Sequence, residues 1–171
     1  MSSKNSQSNS FKASGVRPER IAFIQSRWHH DIVDQCRLAF MKRIKKEGFA
    51  PRSVEIFAEP GAFEIPLQAK LLASTGRYAA IVAAGLVVDG GIYRHEFVAG
   101  SVIDALMRSQ IDSEVPIISA VLTPLRFHEH DEHRAFFQRH FVTKGIEAAV
   151  ACAETISNIR ALKKQAYQRE E

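Results

Sequence analysis

Cysteine is nearly absent. Cys36 and Cys152 are the only two in 171 residues, far apart and each inside a helical apolar pattern. Such a pair makes neither a disulfide framework nor a metal knuckle, and both are expected to be small buried apolar residues. No segment is apolar for the length a membrane crossing needs, and the opening residues lack the apolar centre of a secretory leader. A cytoplasmic protein is expected. The chain carries neither the phosphate-loop nor the dinucleotide glycine fingerprint, which tells against ATP and NAD. Its net charge of +4 is dispersed apart from stretches at 42–46 and 160–169, and no aromatics interleave them as on a base-stacking surface. No nucleic-acid or membrane partner is expected, and a mild positive bias suits a small anionic substrate equally well. There is no internal repeat and no interior low-complexity segment.

What is present is a 46% apolar chain, enough for a globular core. Residues 1–18, rich in Ser, Asn, Lys and Gln, are expected to form a flexible arm, and residues 19–171 a single domain. Apolar runs at 20–25, 53–58, 78–88 and 116–122 read as strands. Between them, Ile32, Val33, Cys36, Phe40 and Ile44 recur at helical spacing up to Gly48. Residues 63–74 read as a second helix, with Pro66 tolerable in its first turn, and 93–113 as a third. The rest is expected to be helical, with a break at Lys144-Gly145. Strands alternating with helices predict an α/β fold: a three-layer α/β/α sandwich with a four-stranded parallel sheet of the flavodoxin-like kind. Ligands then gather outside the carboxyl ends of the strands.

Four loops at those ends carry unusual residues. The first holds Trp28, the only tryptophan, which fits either a hydrophobic plug or a flat platform for a planar heterocycle. The second, Gly61-Ala62-Phe63-Glu64-Ile65-Pro66, places Glu64 in a first helical turn. Capping and the binding of sugar-like hydroxyls both account for a carboxylate there. The third, Val88-Asp89-Gly90-Gly91-Ile92-Tyr93-Arg94, suits an anion, with glycine N–H groups, a helix start and an arginine, although a plain turn reads the same. The fourth, His128-Glu129-His130-Asp131-Glu132-His133, has histidines at metal-like spacing, or else a solvated helix start. No complementary zinc ligand set stands elsewhere.

Taken together, Pro60-Gly61-Ala62-Phe63-Glu64-Ile65-Pro66, the Gly85–Gly90 stretch and Lys144-Gly145-Ile146-Glu147-Ala148-Ala149 resemble the lumazine synthase family, also called the riboflavin synthase beta chain. The resemblance runs from about Arg20 to Leu162. It implies condensation of 5-amino-6-(D-ribitylamino)uracil with 3,4-dihydroxy-2-butanone 4-phosphate, giving 6,7-dimethyl-8-ribityllumazine, phosphate and water, with no metal or organic cofactor. By resemblance, Trp28 lies under the pyrimidine. Ala62, Phe63 and Glu64 hold the ring and ribityl chain, and Leu86, Val87 and Val88 line the pyrimidine pocket. Gly91 and Ile92 present N–H groups to phosphate.

Departures accompany it. The family pattern has arginine at Asp89, a histidine acid/base at Arg94, phenylalanine at Ser119 and a phosphate-binding arginine near His133. These replacements resemble the divergent type II subgroup, which implies a homo-oligomer: a decamer of two pentamers with sites between neighbours. Arg94 and His133 are the expected catalytic pair, Arg94 anchoring phosphate and His133 moving protons or binding phosphate, with His95 ranked behind it. Phe136, Phe137 and Phe141, crowded on one helix, are expected to be covered by other subunits. Riboflavin or FMN are further expected ligands. The competing reading is a weakly active or inactive lumazine- or flavin-binding paralogue.

Overall fold

The computed structural model describes residues 20–89, 94–127 and 130–168. The expected arm, and Gly91, Ile92 and His128, lie outside them. Four strands, β1 (Arg20–Ser26), β2 (Val54–Glu59), β3 (Tyr78–Leu86) and β4 (Ile117–Leu122), form one parallel sheet in the order β2-β1-β3-β4. Four long helices join and follow them: α1 (His30–Lys46), α2 (Ile65–Ser74), α3 (His95–Ser113) and α4 (Asp131–Tyr167). The sequence-predicted sandwich is present, with strand boundaries displaced by a residue or two.

β3 is central and apolar almost throughout because both its faces are covered. One core cluster unites the buried side of α1 (Ile32, Val33, Cys36, Phe40, Ile44) with Phe137, Phe141 and Cys152 of α4 and one face of the sheet. The other joins Ile65, Ala69 and Leu72 of α2 to Val102 and Leu106 of α3 across the opposite face. Chain order reverses direction between β1 and β3. That reversal opens a crevice at their carboxyl ends.

Two expectations need correction. Helix α4 does not break at Lys144-Gly145 but runs unbroken for 37 residues, roughly 55 Å. Gly145 serves contact instead. A Cβ there would stand 2.9 Å from Ala39 Cβ and nearer still to the Cys36 carbonyl oxygen of α1. The missing side chain is what lets the two helices touch. The phenylalanines of α4 are likewise mostly satisfied within the chain: Phe137 and Phe141 are buried, and only Phe136 is half exposed. Other exposed apolar side chains include Val142, Ile146 and Leu162 on α4, Leu67 and Leu71 on α2, and Phe97, Met107 and Ile111 on α3. Among the described residues no helix is long and apolar enough to cross a membrane.

Candidate active site

The carboxyl ends of the strands bring the first two of the loops named from the sequence together beside the end of β3. Backbone bonds extend the sheet beyond its strands: Arg27 N–H donates to Glu59 O at 2.8 Å, Trp28 N–H to Pro60 O at 3.2 Å, and Val87 N–H to Leu122 O at 2.9 Å. Trp28 stands over Gly61, where an added Cβ would lie 2.8 Å from its ring. The residue is nevertheless 60% exposed, so it is not a plug buried within the chain. Glu64 Oε2 accepts the Gly61 N–H at 2.9 Å, closing the turn (Ala62–Glu64) that leads into α2. Capping is thus one use of this carboxylate. Its Oε1 has no described partner and the side chain is exposed.

Ala62 is buried beneath this turn against Gly85, where a Cβ would come 3.3 Å from Ala62 Cβ and 3.4 Å from Ser26 Oγ. Both close-approach glycines of the crevice, Gly61 and Gly85, stand within the family-like stretches, but nothing in the sequence specified what each one lets in. Ser26 Oγ is fully buried and finds no hydrogen-bond partner among the described residues. Phe63 is 61% exposed. Leu86, Val87 and Val88 alternate across the sheet as a strand end must: Leu86 and Val88 pack toward the α1–α4 side, Val87 toward α2–α3.

Arg94 immediately precedes α3, with its guanidinium 5.6 Å from the centre of the Phe97 ring. Its neighbour His95 is buried, with Nδ1 3.6 Å from Glu96 Oε2. Ser119 is not at a strand end. It pairs with Ala83, three residues before the Leu86–Leu122 pair, so it lies roughly 10 Å below the crevice, exposed on edge strand β4. His133 belongs to a second group, on the α1–α4 side. Its imidazole stacks on Phe127 at 5.8 Å and meets Phe137 edge-on at 5.1 Å, while Phe127 meets the edge of His29 at 5.3 Å.

Two features of this second group had no sequence signal. His29 caps α1 in the left-handed region, at φ 54°, which is uncommon outside glycine but which histidine adopts more readily than most side chains. Asp31, in the first turn of α1, accepts Arg134 Nη2 at 2.6 Å and Gln138 Nε2 at 3.3 Å from the first turns of α4. Burial raises the Asp31 pKa. The hydrogen bond and charge of Arg134, with the Gln138 amide, outweigh it and hold the carboxyl below its usual value. A carboxylate pKa lowered by folding adds stability above its unfolded value and loses it as pH falls through the folded one. The pair therefore stays intact across the neutral range.

A family model described as 6,7-dimethyl-8-ribityllumazine synthase matches residues 18–160. The chain is 57% identical over 146 residues to 6,7-dimethyl-8-ribityllumazine synthase 2 of Pseudomonas syringae pv. tomato, covering 85% of this chain and 86% of that one. It is 58% identical to 6,7-dimethyl-8-ribityllumazine synthase of Rhodococcus erythropolis, over 87% of this chain and 96% of that one. Against 6,7-dimethyl-8-ribityllumazine synthase 2 of Bradyrhizobium diazoefficiens the identity is 56%, over 88% and 90%. With the fold and the motif stretches in agreement, the chain belongs to the 6,7-dimethyl-8-ribityllumazine synthase family.

Proposed function

We propose that this protein is a cytoplasmic transferase of riboflavin biosynthesis that joins 5-amino-6-(D-ribitylamino)uracil to 3,4-dihydroxy-2-butanone 4-phosphate. The observation that carries the reading is the Trp28–Gly61–Glu64 arrangement at the switch point: an exposed aromatic plate beside a carboxylate with one oxygen engaged and one available. The plate suits a pyrimidine, and Glu64 Oε1 suits a ribityl hydroxyl. Ala62, Phe63, Leu86, Val87 and Val88 complete the pocket, while Gly91 and Ile92 supply N–H groups to phosphate.

Imine formation, loss of phosphate and ring closure require two partners held face to face. Such positioning can supply roughly 7–11 kcal/mol at best, so the reaction tolerates a changed acid/base group. Arg94 keeps its charge at any working pH and so anchors phosphate and stabilises the departing anion. The proton work falls to substrate, water or His133.

Steady-state kcat and KM for both substrates test this division. Arg94→Lys should retain part of the activity and chiefly raise KM for the butanone phosphate, and Arg94→Ala should do worse. If His133 carries protons, His133→Gln should lower kcat with little change in KM for the pyrimidine. A kcat lost in Arg94→Lys but kept in His133→Gln would reverse the assignment. A wild type that binds lumazine or riboflavin without turnover would instead be a binding paralogue.

Assembly belongs to the same proposal. Ser119 on its exposed edge stands well below the strand ends, which suits sites completed between neighbouring copies. The exposed apolar residues of α2 and α3 suit burial in such a ring. A decamer of 19.1 kDa chains has a mass of about 191 kDa, and light scattering should find that mass, or about half if pentamers separate. A monomer fully active at nanomolar concentration would contradict it.

A further inference from the structure

The first turns of α4 are tied down from far along the chain: Arg134 and Gln138 reach Asp31, 103 and 107 positions away, at 2.6 and 3.3 Å. The tie is half-buried and charge-assisted, the stronger kind of hydrogen bond. It runs beside the ring series His29–Phe127–His133, so the turn after β1 and the turn after β4 are joined twice, once by charge and once by stacking. His133 immediately precedes Arg134, and Asp31 follows the turn that carries Trp28.

We propose that Asp31 and Arg134 are positioning residues for the reaction: their ion pair, steadied by Gln138, sets where the His133 imidazole stands for the phosphate-bearing substrate. This rests on the reading that His133 faces that substrate. The physical demand is strict, because a misplacement of about 1 Å at a reacting group can cost on the order of a hundredfold in rate. The Asp31 carboxylate is engaged by Arg134 and Gln138 of α4, so the pyrimidine partner over Trp28 should not feel the loss of the pair.

The test is the kinetics of both substrates in the assembled enzyme, with mass and circular dichroism confirming fold and assembly. Arg134→Ala should raise KM for the butanone phosphate or lower kcat at least fivefold, with KM for the pyrimidine within twofold of wild type. Asp31→Asn should reproduce that split, and combining the two should be no worse than either alone. Arg134→Lys should recover at least half of the loss. Should Arg134→Ala not fold, Gln138→Ala, which keeps the ion pair, should show the same split more weakly. Unchanged constants, equal damage to both substrates, or no recovery by Arg134→Lys would overturn the proposal. So would tighter butanone phosphate binding in Asp31→Asn, since the guanidinium would then be holding phosphate itself. His133→Gln separates the two layers of inference. If it is inert, the reading of His133 fails; if it impairs the enzyme while Arg134→Ala does not, only the positioning role fails.

Discussion

Trp28→Ala should bind riboflavin or the pyrimidine substrate roughly 5- to 150-fold more weakly, corresponding to about 1–3 kcal/mol of lost stacking. The side chain is the only tryptophan, and most of its ring is open to a ligand. Its emission should therefore fall saturably as either ligand is added to the wild type, and the quenching curve gives the Kd directly. Gly61→Ala should push in the same direction with a smaller effect, because the new Cβ would press on the ring from 2.8 Å and tilt the plate. Unchanged affinity in a folded Trp28→Ala protein would take this residue out of the site.

Gly145→Ala should destabilise the chain, although alanine is the better helix former. At an exposed helical position the substitution gains about 1 kcal/mol. Here the methyl group would meet the backbone of α1 at Cys36 as well as Ala39 Cβ, and a backbone carbonyl cannot rotate aside. Overpacking of this kind costs roughly 1–3 kcal/mol or more, and the rigid neighbour puts it at the upper end. A net loss of about 2 kcal/mol would lower Tm by roughly 4–8 °C at fixed protein concentration. Gly100→Ala in α3 is the control: nothing stands within 4 Å of its Cβ, so Tm should hold or rise. Equal behaviour of the two variants would mean that Gly145 is not a contact glycine.

These two positions also show what a sequence conveys and what it withholds. Periodicity is local, so β3 and the buried stripe of α1 were legible, and the alternation of elements led to the parallel sheet. The Gly-Ala-Phe-Glu-Ile-Pro turn was legible because its chemistry is contiguous. Gly145 misled because glycine ends helices far more often than it admits a neighbour, and the neighbour, α1, lies a hundred residues away. Phe137 and Phe141 misled similarly: whether an aromatic is covered depends on partners that spacing does not name. The Asp31–Arg134 pair and the left-handed His29 left no trace, since one spans most of the chain and the other is a single-residue conformation that no pattern marks. The roles of Gly91 and Ile92 fall outside the described residues.

Cys36 and Cys152 face the α1–α4 core, and burial pushes both thiols up to about 12. With the thiolate disfavoured and both sulfurs buried, peroxides and alkylating reagents find little to attack in the folded chain. Chemical ageing of this protein by thiol oxidation must therefore wait for α1 and α4 to separate. Modification with an alkylating reagent becomes a clock for that opening, and the same seal shields the fold from oxidants without any disulfide.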